Sequence, residues 1–133
     1  MSTPKRILLW LMAAAYALAG FNHLANPGFY LAIIPPQLPS PEWLNLAAGL
    51  AEIVLGVFLL EARTRVFAAW GVVALLIAVF PANLYAAAQN YGPPEMTPGT
   101  GNAALNYARL PLQLLLIVWA WWYTRPDRGD GTR

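Results

Sequence analysis

Four long apolar stretches decide what this chain can fold into. They run over residues 7–24, 43–60, 66–88 and 105–123. A hydrocarbon layer about 30 Å thick is crossed by about 20 helical residues, and each stretch is close to that length. The runs are continuous and lack the period-two alternation of membrane barrel strands. Inside lipid the backbone must satisfy its own hydrogen bonds, so the stretches are predicted to be helices. The expected architecture is all-α: a four-helix transmembrane bundle forming one domain over residues 1–133.

The charges support this. Only 11% of the residues are charged while 59% are hydrophobic, against about 25% charged in a soluble domain. All the charged side chains except Glu52 and Arg109 lie outside the four stretches. Lys5 and Arg6 precede the first stretch, Arg63 and Arg65 fill the link between the second and third, and Arg125, Arg128 and Arg133 follow the fourth. The other two loops, 25–42 and 89–104, contain no lysine or arginine. Basic residues stay on the cytoplasmic side, so both termini are expected in the cytoplasm of a bacterial-type inner membrane. Lys5-Arg6, the apolar run and Ala17-Leu18-Ala19 also fit a cleaved signal peptide, which would leave three spans in the same orientation. A net charge of +2 with no basic stripe gives no nucleic-acid surface.

The first outer loop holds Phe29-Tyr30-Leu31-Ala32-Ile33-Ile34 between Pro27 and Pro35. It is too short to span and too apolar for open water, so a short interfacial or re-entrant segment on the outer leaflet is expected. The second outer loop, 91–102, is rich in Gly, Pro and Thr and reads as mobile.

Polar residues inside a span are costly and point to a site. Asn22 and His23 end the first stretch. Glu52 lies about 13 Å into the second at 1.5 Å per residue. Asn83 sits near the outer end of the third, two residues after Pro81, and Arg109 and Gln113 share a face of the fourth at i, i+4. The six fall in the outer half or near the midplane and are candidates to line one pocket. Asn45, Gly49, Glu52 and Gly56 mark one face of the second helix, where the glycines admit another backbone. Arg109 is the expected ion partner of Glu52, either as a structural clasp or as part of a ligand site; a protonated Glu52 with a snorkelling Arg109 is the remaining reading. His23 reads as a capping or interfacial group, or as a proton donor or ligand contact. Asn83 reads as a partner for carbonyls freed by Pro81, or as a contact into the cavity. Pro111 reads as an early-turn proline, and Gln113 as an interhelical clasp or a ligand contact. There is no cysteine and no second histidine, so neither a thiol nucleophile nor a metal site is expected. No catalytic signature or phosphate loop is present.

Several segments together resemble the DoxX-like family of small four-helix membrane proteins. They are Gly20-Phe21-Asn22-His23 with Asn26-Pro27-x-Phe29-Tyr30, Ala48-Gly49-Leu50-Ala51-Glu52-Ile53-x-x-Gly56, Ala69-Trp70-Gly71, Ala78-Val79-Phe80-Pro81-Ala82-Asn83, and Arg109-Leu110-Pro111-Leu112-Gln113. The resemblance covers about residues 7–125 in order. It implies a membrane subunit or helper of a redox assembly, with a lipophilic ligand such as a quinone, a redox partner protein and a homo-oligomer as candidate associates. A distant animal relative is a receptor assembly chaperone, which gives the alternative of a non-catalytic assembly protein. The wider fold is similar to sterol-isomerising proteins, which gives the second alternative of a lipid isomerase with Glu52 and His23 carrying protons.

Overall fold

The computed structural model describes residues 1–92 and 97–125; Arg128 and Arg133, used above for orientation, lie outside them. Five helices follow in order: α1 (Thr3–Ala25), α2 (Pro27–Leu31), α3 (Pro41–Leu60), α4 (Arg65–Ala88) and α5 (Ala103–Trp122). All but α2 are long and apolar enough to cross a membrane. The protein is therefore a multi-pass, four-helix membrane bundle, and α2 is the short segment expected between the first two spans.

The helices pack in the order α1 on α3, α3 on α4 and α4 on α5. The α1–α3 contact is the closest, and glycine makes it so. A Cβ on Gly49 would lie 2.7 Å from the Cβ of His23, and one on Gly20 would strike the carbonyl oxygen of Gly49. Small residues do the same throughout membrane bundles, where van der Waals packing replaces the hydrophobic drive. The inner half is closed by a dry core of Leu9, Met12, Leu59, Ala68, Val72 and Ala120. At its base the Tyr123 hydroxyl donates to the Lys5 carbonyl at 3.0 Å. Lys5 lies over the rings of Trp122 and Tyr123, so its stem covers apolar surface beneath the charge.

At the outer end, α2 and the turns after it fold onto the bundle. Ile33 is buried against Ala86 of α4, with Phe29, Ala32 and Tyr91 around it. The flanks of the second outer loop, expected to be mobile, are tied down. Gly99 and Gly101 donate backbone hydrogen bonds to the carbonyls of Gln89 and Asn90. Asn106, buried in the first turns of α5, donates to Asn90 Oδ1 at 2.9 Å and to the Tyr91 carbonyl at 3.0 Å. Residues 93–96 of that loop lie outside the described residues. Pro111 is interior to α5 rather than in its first turn, because the helix begins at Ala103 with Asn102 accepting from the Leu105 amide.

A polar-ended cavity at the α2 end of the bundle

Tyr16 and His23 are seven residues apart on α1, so they share a face. Asn45 and Glu52 stand in the same relation on α3. Because Gly20 and Gly49 bring the two backbones together, these faces meet. His23 Nδ1 lies 2.7 Å from Asn45 Oδ1, and Asn45 Nδ2 donates to the His23 carbonyl at 3.0 Å. The second bond fixes which way the Asn45 amide points, so Nδ1 carries a proton and donates it. His23 Nε2 lies 3.5 Å from Glu52 Oε2. That separation is an electrostatic contact and leaves Glu52 Oε2 without a hydrogen bond.

The outer segment holds the imidazole from its other side. The Tyr30 ring stacks on His23 with centroids 3.5 Å apart. Its hydroxyl accepts from Asn22 Nδ2 at 2.6 Å, and Asn22 Oδ1 accepts from Asn26 Nδ2 at 2.7 Å. The ring of His23 thus points into the bundle and caps nothing; the α1 terminus is closed by the Asn26 amide donating to the Asn22 carbonyl.

These groups end a cavity of about 450 Å³, lined by Met12, Tyr16, His23, Asn45, Glu52, Asn83, Arg109 and Trp119 among otherwise mainly aliphatic and aromatic side chains from every helix. That falls within the roughly 300–1,000 Å³ of small-molecule sites, which combine apolar walls with a few convergent polar groups. Among the described residues, the buried Tyr16 hydroxyl and Glu52 Oε2 have no hydrogen-bond partner. Leaving a buried polar group unsatisfied costs about 1–3 kcal/mol.

Of the six residues expected at the site, His23, Glu52, Asn83 and Arg109 line this cavity. Asn22 acts one step behind it through Tyr30. Gln113 lies outside it, buried between α4 and α5, where its Nε2 donates to the Leu76 carbonyl and its Oε1 accepts from Asn83 Nδ2 at 2.8 Å. Gln113, and not Asn83, is thus the side chain that supplies a donor to the turn of α4 ahead of Pro81.

The expected Glu52–Arg109 ion pair is not formed. Glu52 faces His23, and Arg109 is exposed at the cavity's rim. A guanidinium on its long stem stays solvated at this exposed rim without the carboxylate. Arg109→Ala should accordingly change stability by no more than about 0.5 kcal/mol. A melting-temperature comparison in detergent checks this; a loss of several kcal/mol would mean a buried partner.

Tyr16, Tyr30, Asn45 and Trp119 were not among the expected site residues. The spacing of Asn45 from Glu52 and of Tyr16 from His23 carried the signal for two of them.

Fold and cavity together define a multi-pass membrane protein with one polar end inside an apolar pocket. The chain belongs to the family described as Domain of unknown function (DUF8561), whose family model matches residues 12–124. No curated protein and no solved structure matches it.

Proposed function

We propose that the protein takes a lipophilic molecule with a hydrogen-bonding head, such as a quinone, into this cavity, as the membrane subunit or helper of a redox assembly. The observation that carries this reading is the pair of buried, unpartnered polar atoms on Tyr16 and Glu52 at the wall of an apolar cavity. A quinone carbonyl accepts from a tyrosine hydroxyl, and once reduced to the quinol the same oxygen also donates its hydroxyl proton to a carboxylate, so the reduced head group satisfies both. His23 and Glu52, 3.5 Å apart, place two groups able to carry protons beside a ligand that gains or loses protons with its electrons. The DoxX-like resemblance supports the redox setting, and a partner protein would supply the electrons. The distribution of lysine and arginine supports an inner-membrane location with both termini cytoplasmic, and this would open the polar end toward the outer leaflet.

Trp119 lines the cavity, and quinones quench indole fluorescence. Titrating the purified protein in detergent with a short-tailed benzoquinone should give saturable quenching that Trp119→Phe largely removes. Glu52→Gln should weaken the affinity of the reduced quinol, measured by its displacement of the quinone, about tenfold, equivalent to about 1.4 kcal/mol. Absence of saturable quenching in the native protein, with the fold intact by circular dichroism, overturns the proposal.

The 3.5 Å contact of His23 with Glu52 favours a second reading, a lipid isomerase that removes a proton from one carbon and returns it to another. Solvent deuterium appearing in a recovered unsaturated lipid with the native protein, but not with Glu52→Gln, would select it over binding alone.

A further inference from the structure

α1 and α5 are the two ends of the row of spans around the cavity. α1 meets α3, α3 meets α4 and α4 meets α5, but no Cα of α1 lies within 8 Å of a Cα of α5. Both walls of this seam border the cavity: Ala15 and Ala19 on α1, Arg109 and Leu116 on α5. Ala15 and Arg109 are also exposed. The cavity wall is thus accessible at these residues and not packed shut. Toward the inner end the seam is shut, where Leu9 and Met12 share a core with Ala120 and Tyr123 and the Tyr123 hydroxyl holds the Lys5 carbonyl. On the far side of α1 there is no such gap, because Gly20 and Gly49 lock it to α3.

We propose that the outer half of the α1–α5 seam is a lateral portal, through which the hydrocarbon chain of the ligand enters from the bilayer and in which it stays while the head group reaches Tyr16 and Glu52. This rests on the binding reading above. Three observations assign the seam to a chain. A cavity of about 450 Å³ sits at the lower end of the roughly 300–1,000 Å³ range of ligand sites, which suits a ring and not a long prenyl or acyl tail as well. The seam leads straight from that cavity to the face of the bundle that lipid covers. Its alanines and Leu116 offer dispersion contacts and no hydrogen bonds, while Arg109 stands at its outer edge, where a guanidinium can remain hydrated among lipid head groups.

The chain has no cysteine, so the portal can be closed reversibly. Ala15→Cys and Leu116→Cys in one chain are bridged with a bifunctional methanethiosulfonate and later released with reductant. Two probes are compared by stopped-flow quenching: a benzoquinone with a decyl tail, and the same ring without a tail. Bridging should slow association of the tailed quinone at least tenfold and reductant should restore it, whereas the tail-less ring, which leaves nothing in the seam, should reach the same equilibrium affinity before and after bridging. Equal rates for the tailed probe before and after bridging overturn the portal. Cross-links between two chains instead of within one assign the seam to a second copy and overturn it too. Failure of the tail-less ring to bind even the unbridged protein overturns the binding reading itself.

Discussion

Gly20→Val is expected to destabilise the bundle by about 3 kcal/mol, the upper part of the usual range for overpacking. A Cβ at this position meets the Gly49 carbonyl, the Ile53 amide nitrogen at 2.9 Å and Ile53 Cγ1 at 2.7 Å. Two of those neighbours are backbone atoms of α3, and backbone cannot turn aside as a flexible side chain can. α1 must then move away from α3, and the His23–Asn45 and His23–Glu52 contacts part with it. The loss should appear in mixed-micelle unfolding by sodium dodecyl sulfate, followed by circular dichroism. Gly28→Ala is the control, because nothing lies within 4 Å of a Cβ there; it should change stability by no more than about 0.5 kcal/mol. A Gly20→Val protein as stable as the control would contradict the close α1–α3 packing.

Gln113→Leu should cost about 2 kcal/mol. The substitution keeps the volume roughly constant but removes the bond to the Leu76 carbonyl and leaves the Asn83 amide without its acceptor. Interhelical hydrogen bonds in membranes average only about 0.6 kcal/mol in coupling and reach about 1.7 at most. The larger figure expected here comes from the stranded amide, not from the bonds alone. A double-mutant cycle separates the two contributions. Asn83→Leu added to Gln113→Leu should cost less than the sum of the single substitutions, since the second change removes a group the first left unpaired. Strict additivity would show that the Asn83–Gln113 bond does not exist in the folded bundle.

The spans were legible because the bilayer tests a simple quantity, the length of an uncharged helical run. The departures fall at the ends. α1 begins at Thr3, not residue 7, since Pro4, Lys5 and Arg6 continue the helix beyond the apolar part, where hydropathy has nothing to register. The site was legible in depth but not in rotation. Burial cost singled out Glu52 and Arg109, yet a sequence gives only the height of each residue along its own helix. It does not say which faces turn toward each other across a bundle. Pairing the two formal charges was therefore the natural expectation, and the carboxylate instead met the imidazole beside it. Tyr16 and Tyr30 were harder to see because a tyrosine in an apolar run counts as apolar area; only its hydroxyl, buried without a partner in Tyr16 and bonded to Asn22 in Tyr30, shows that it belongs to a polar cluster. Asn106 escaped notice at the very start of its span, where a polar residue carries little penalty.

The link between α3 and α4 leaves little of its backbone for water to solvate. Arg65 Nε donates to the Leu59 carbonyl at 2.9 Å and Nη2 to the Leu60 carbonyl at 3.1 Å. Thr64 Oγ1 donates to the Phe58 carbonyl at 2.8 Å, and the Glu61 carbonyl accepts from the Thr64 and Arg65 amides. The last carbonyls of a helix are ordinarily its most solvent-dependent atoms. With these four already answered from within, α3 and α4 form a helical hairpin whose bend is chemically self-sufficient. Such a hairpin can meet the membrane boundary without the water that helix ends ordinarily need.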